Sequence, residues 1–175
     1  MSANPLLVVG PPWIMLADLD SVHFGRLLDE LCAAGGENIE IDGARATTSA
    51  ALFEEFAQAA RLPGYFGRNW AALDECLADL EWLPGSSYVV TLRNPGRLLE
   101  SASRERPLFV KVITKVALEW AEPVNNGEEW DRPSVPFHLV AHYADFDAGG
   151  GAGRFSSGAI AWLGDDIPSI CGIAE

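Results

Sequence analysis

The stretch Leu62-Pro63-Gly64-Tyr65-Phe66-Gly67-Arg68-Asn69-Trp70-Ala71-Ala72-Leu73-Asp74-Glu75-Cys76-Leu77 decides how this chain is read. It joins an aromatic turn to a short helix whose two faces differ. At about 100° per residue, Leu73, Cys76, Leu77 and Leu80 share one side. Asp74, Glu75 and Asp79 fall on or near the other, with Ala71 and Ala78 between. Asn69 is a good N-cap, because its side chain can accept a free amide of the first turn. Gly64 and Gly67 bracket Tyr65-Phe66, so two large rings come from a tight loop. Phe66 is expected inside and Tyr65 outside. Aromatics and carboxylates set together on a rigid helix entry suit recognition of a basic partner better than chemistry on a small molecule.

Outward from this unit, helices and strands alternate. Pro12–Leu16 reads as a buried strand. Ser21 caps a helix through Ala33, with Phe24, Leu27, Leu28 and Leu31 at helical spacing and Gly35-Gly36 as the stop. Asn38–Ile41 is a short strand closed by Asp42-Gly43. A helix follows from Ser49 to Arg61, burying Leu52, Phe53, Phe56 and Ala60, and Pro63 ends it. After Pro84-Gly85, Tyr88–Leu92 is a β-branched strand and Asn94-Pro95-Gly96 turns the chain. From Pro107 a helix places Phe109, Val112, Ile113, Val116 and Trp120 on one face. Asn125–Glu129 is a turn-rich link to a fourth strand over Val135–Tyr143, and Gly158–Leu163 is a further short strand. Leu6–Gly10 is no more than a strand-sized apolar patch. The alternation predicts an α/β layer structure around a small, largely parallel sheet of three to four strands.

Charge and composition narrow the function. Of 175 residues, 25 are acidic and 12 basic, a formal charge of −13. Nucleic acid and anionic membranes would be repelled at long range, whereas a cationic protein would be attracted. The flanks, 1–38 and 123–175, hold most of the excess, so net charge alone does not locate a binding face. Cys32, Cys76 and Cys171 are too few and scattered for a disulfide framework. With no leader-like start and no run of about 20 apolar residues, the expected compartment is the cytoplasm.

Residues 62–80 resemble the signature of the barstar family, intracellular inhibitors of small ribonucleases. The matching residues are Leu62-Pro63, Tyr65 and its aromatic neighbour, Gly67 and Asn69, then Ala72-Leu73 and the acid-Cys76-Leu77 run. The likeness covers about 39–143. It implies a barstar-like α/β domain over 1–143, with 1–38 as an N-terminal strand-helix extension and 144–175 as a Gly-rich acidic C-terminal extension. It also implies a function: the loop and helix plug the active site of a cationic ribonuclease or ribonuclease-type toxin in a heterodimer, and a carboxylate takes the place of substrate phosphate. Carried over by position, Glu75 is the central anion, Tyr65 and Trp70 are packing anchors, Gly67 and Asn69 belong to the contacting loop, and Asp74 gives polar support. Glu75 stands where the family prototype has Asp. Ala71 stands where it has a second contact Asp, and Asp74 where it has Trp. A module that kept the fold but changed partner is the alternative reading.

Other constellations carry less. Cys76 lies on the apolar face and reads as a buried small hydrophobe. His138 and His142 sit four apart on a strand, about 13 Å from one another, and cannot share a metal. Asp18-x-Asp20 and Asp145-x-Asp147 lack the rest of a calcium loop. The glycines of 149–153 are followed by no Lys-Ser/Thr, so they make no phosphate loop. No nucleophile–base set is evident. The expectation is a binding protein, not an enzyme, without cofactor or metal.

Overall fold

Every strand pairing in the sheet is parallel. The computed structural model describes residues 3–143, 161–164 and 167–170, which leaves Asp145-x-Asp147, the glycine run and Cys171 outside. Four strands, β1 (Ile14–Ala17), β2 (Glu37–Asp42), β3 (Tyr88–Arg93) and β4 (Phe137–His142), lie in the order β1-β4-β3-β2. Four helices join them: α1 (Val22–Ala33), α2 (Ser49–Ala59), α3 (Trp70–Asp79) and α4 (Arg106–Ala121). The fold is the α/β class expected.

The order explains where the helices go. β2, β3 and β4 step across the sheet one way, whereas the link from β1 to β2 crosses it in the opposite direction. Right-handed crossovers therefore put α1 on one face and the other helices on the reverse. The core divides accordingly. Met15, Ala17, Val89 and Val140 pack with Phe24, Leu27 and Leu31 of α1. Their alternates Leu16, Ile39, Ile41, Val90, Leu92, Leu139 and Ala141 pack with α2, α3 and α4. Covered on both faces, β3 and β4 are each buried over five consecutive residues, mostly apolar but including Thr91 and His138. The N-terminal strand-helix unit is thus part of the same sheet through β1 and β4.

Local chemistry sets the helix ends. The Phe24 amide donates to Ser21 Oγ, and that of Ala51 to Thr48 Oγ1. α1 gives way to Gly35 at φ 84°. Gly36 must be glycine for another reason: a Cβ there would come within 2.3 Å of Ser87 Oγ.

Three segments differ from expectation. The patch after Asn4 is a 3-10 turn over Pro5–Leu7, held by the Leu6 amide on Asn4 Oδ1, with Leu6 buried against α1. Glu100–Glu105, for which the sequence predicts no element, is also 3-10. Of the short strand expected over Gly158–Leu163, the described residues 161–163 form a 3-10 turn instead, because Trp162 packs on Phe109 (6.1 Å) and Leu163 enters the core. The chain pairs slightly later: the Leu16 amide donates to Pro168 O and the Ile170 amide to Leu16 O, so Pro168–Ile170 runs parallel along the outer side of β1.

Candidate functional site

The entry to α3 is pinned from behind, and its outer surface is free. Leu62 N bonds Ala57 O, and Phe66 N bonds Pro63 O, closing a turn that sends the two rings apart. Phe66 is 4% exposed and meets Phe53 edge-on at 6.3 Å; Tyr65 is 76% exposed. Trp70 also meets Phe53 edge-on, at 5.3 Å, and its indole N–H donates to Glu105 Oε2 at 2.6 Å. The expected packing anchor at 70 is therefore half-buried and already engaged within the fold.

Asn69 caps α3 with Oδ1, which accepts from Ala72 N at 2.9 Å, while its amide donates to Gly67 O at 3.1 Å. A Cβ at Gly67 would crowd that amide nitrogen at 3.0 Å and push the Asn69 side chain aside by a few tenths of an ångström. Gly64 faces open space. Arg68, the loop's one cation, adopts φ 50° and pairs with Glu54.

The acids of α3 fall into two groups. Asp74 holds Lys115 of α4 through both oxygens, at 2.9 and 2.8 Å, and Lys115 also pairs with Glu119 at 2.8 Å. These bonds raise the pKa of Lys115, Asp74 foremost. Asp74 therefore spends its charge inside the molecule, which the sequence concealed because the partners are far apart in the chain. Glu75 is exposed, with no hydrogen bond or ion pair among the described residues, and Asp79, one turn on, is in the same condition. Ala71 is exposed and bare.

Glu75 and Asp79 border a cleft of about 180 Å³ with Tyr65, Phe66, Ala72 and Cys76. Partial desolvation, then the proximity of Cys76, Asp79 and Glu81, pushes the Tyr65 phenol above its ordinary pKa. Burial, and then Asp79 and Glu75, do the same to the Cys76 thiol. A thiol so placed is protonated near neutrality and is no nucleophile. Asp79 is the residue that sequence reading left out of the site; its signal was the four-residue spacing from Glu75. The far end of α3 is fixed too, by the Trp120 indole donating to Leu77 O at 2.8 Å.

A second cluster lies at the carboxyl ends of β1, β3 and β4. Asp18, Asp20 and His142 place ligand-type atoms within 4.8 Å of one another, which sequence spacing did not foresee. The chemistry does not suit a cation. The Leu19 amide donates to His142 Nδ1 at 3.1 Å, so the neutral ring keeps its proton on Nε2 and has no lone pair to offer there. Arg93 already holds Asp20 at 2.8 Å. His138 is buried on β4, its ring nitrogens 3.0 Å from Pro12 O and 2.9 Å from Val8 O, so it fastens the N-terminal segment.

A family model described as Barstar (barnase inhibitor) matches residues 37–141, more than half of the chain. The chain belongs to the barstar family. That span runs from β2 to the end of β4 and contains the whole loop and α3. No curated protein matches the sequence. Among solved structures, the crystal structure of Cdc6p from Pyrobaculum aerophilum is similar, with a TM-score of 0.50 at 13% identity over 89% of this chain. This chain spans only 38% of that one, and the likeness is one of fold alone. Barstar members are inhibitors by the family's description. Among the described residues no helix is long and apolar enough to cross a membrane.

Proposed function

We propose that this protein inhibits a cationic ribonuclease, or a toxin of that type, by seating the outer face of α3 in its active site. A ribonuclease groove is positively charged because it must hold a phosphodiester. A carboxylate delivered there on a rigid helix meets cationic donors in a desolvated setting and blocks substrate by occupancy, with no chemistry of its own. The observation that carries the reading is Glu75: exposed, unpaired among the described residues and flanked by the exposed Tyr65 ring. Family membership supplies the class of partner. The net charge of −13 favours fast encounter with a basic protein. Residence in a reducing cytoplasm belongs to the same proposal and agrees with the free thiols of Cys32 and Cys76.

Trp70 and Asn69 contribute by holding the loop in shape, since their polar groups are used internally. Calorimetric titration of the protein into small basic ribonucleases, with Glu75→Ala as control, tests the proposal. A charge-assisted hydrogen bond is worth about 1.5–3 kcal/mol, so the variant should bind roughly 10- to 150-fold more weakly. Equal affinity of the variant would remove Glu75 as the anchor. Failure to bind any ribonuclease would favour the second reading, a barstar-fold module with another partner. Bare Ala71 and the neutralised Asp74 are the features that favour it.

A further inference from the structure

Asp79 is the last residue of α3, where the partial negative charge of the helix terminus disfavours an acid, and no base in that turn offsets it. It also follows Glu75 by four positions, so the two carboxylates rise from neighbouring sites about 5–6 Å apart and repel each other. Neither has an ion pair or hydrogen bond among the described residues. Asp74, the other acid of this helix, is occupied by Lys115. The free negative charge of α3 is therefore gathered at its C-terminal half, on the rim of the cleft beside Tyr65. Charge of one sign on a groove with an aromatic wall defines a complementary occupant.

We propose that Asp79 is a second anchoring carboxylate, and that the cleft takes an arginine side chain of the partner, its guanidinium shared between Glu75 and Asp79. Arginine suits this better than lysine on three counts. Its planar fork directs several N–H donors at once, so one group can serve two carboxylates. Its face can lie on the Tyr65 ring. Its methylene stem fits against Phe66, Ala72 and the thiol of Cys76. The inference rests on the reading that the α3 face meets a cationic protein, and it fixes which group of that protein enters the cleft.

The test uses acetyl-Gly-Arg-Gly-amide and its lysine counterpart as probes, titrated at low salt into the full-length ¹⁵N-labelled protein. Saturable amide shifts should centre on Tyr65, Gly67, Ala72 and Asp79, with the arginine peptide binding about fivefold more tightly than the lysine one. Glu75→Gln and Asp79→Asn should each weaken it by about fivefold. Asp79→Asn should leave thermal stability unchanged or raise it, because the substitution relieves the helix terminus. Unchanged peptide affinity in Asp79→Asn, equal binding of both peptides, shifts scattered over all surface acids, or no binding would each overturn the proposal. The two readings fail separately. A ribonuclease complex weakened by Glu75→Gln but untouched by Asp79→Asn would end the second-anchor proposal and leave ribonuclease inhibition standing. Arginine binding in the cleft with no ribonuclease bound would do the reverse.

Discussion

Replacing Asn69 by alanine removes the two side-chain hydrogen bonds that this residue makes at the entry to α3. Loss of an N-cap acceptor costs about 1 kcal/mol, within a range of 0.5–2. The bond from the Asn69 amide to Gly67 O is exposed to solvent, so its loss adds about 0.5 kcal/mol, the low end for a protein hydrogen bond. The expected total is about 1.5 kcal/mol, or a fall in Tm of about 3–6 °C for a domain of this size. Asn69→Asp separates the two contributions. It keeps the acceptor for Ala72 N and places a negative charge at the helix N-terminus, worth about 0.3–1 kcal/mol in favour, while losing the donor to Gly67. The gain and loss nearly cancel, so this variant should lie within about 0.5 kcal/mol of the parent. Urea unfolding followed by circular dichroism measures all three proteins, and equal slopes license the comparison. If Asn69→Asp proves as unstable as Asn69→Ala, or if alanine costs less than about 0.3 kcal/mol, capping is not what organises this loop.

Two further outcomes follow from the packing and from a buried imidazole. Trp120→Phe leaves the Leu77 carbonyl without its indole partner, removes the surface under Arg132, whose guanidinium lies 4.1 Å from the ring centroid, and opens space beside Tyr88. A loss of about 2–4 kcal/mol is expected in urea unfolding, and a loss below about 1 kcal/mol would contradict the role given to this bond. Burial lowers the pKa of His138, against the opposing pull of the Val8 and Pro12 carbonyls. Between its ordinary value of 6.5 and the lower folded one, the unfolded chain therefore binds the proton and the folded chain does not. The stability due to this group should be complete above about pH 6.5 and decline as the solution is acidified through that interval. The difference in unfolding free energy between the parent and His138→Gln, followed from pH 8 to 5, should shrink on the acid side; a constant difference would show that His138 does not titrate on unfolding.

What could be read from the chain is what depends on neighbours in sequence. Asn69 with Leu73, Cys76 and Leu77 defines a capped amphipathic helix by itself, and the structure places α3 over Trp70–Asp79. The opposed fates of Tyr65 and Phe66 were legible because a turn can bury only one of two adjacent rings. Contacts between distant segments were not. Nothing near Asp74 announces Lys115, because their meeting depends on how α3 lies along α4. Trp70 looks like a surface aromatic until Glu105 is brought beneath its indole N–H. Beyond its spacing from Glu75, nothing in the sequence sets Asp79 apart on its helix face, since the cleft beside it is formed with the Tyr65 loop. Pro168–Ile170 has too little apolar alternation to signal a strand, yet the open side of β1 supplies the partner that its own residues do not predict.

That last pairing bears on how the molecule keeps to itself in solution. A parallel sheet has two margins, and each presents unsatisfied peptide groups to any strand that drifts past. Here one margin is occupied by the protein's own later residues, while the other, β2, carries Glu37, Glu40 and Asp42. Self-association along the first requires dislodging a covalently tethered competitor, and along the second it requires stacking acid upon acid. The sheet is thus guarded, by two unrelated devices, from pairing with copies of itself.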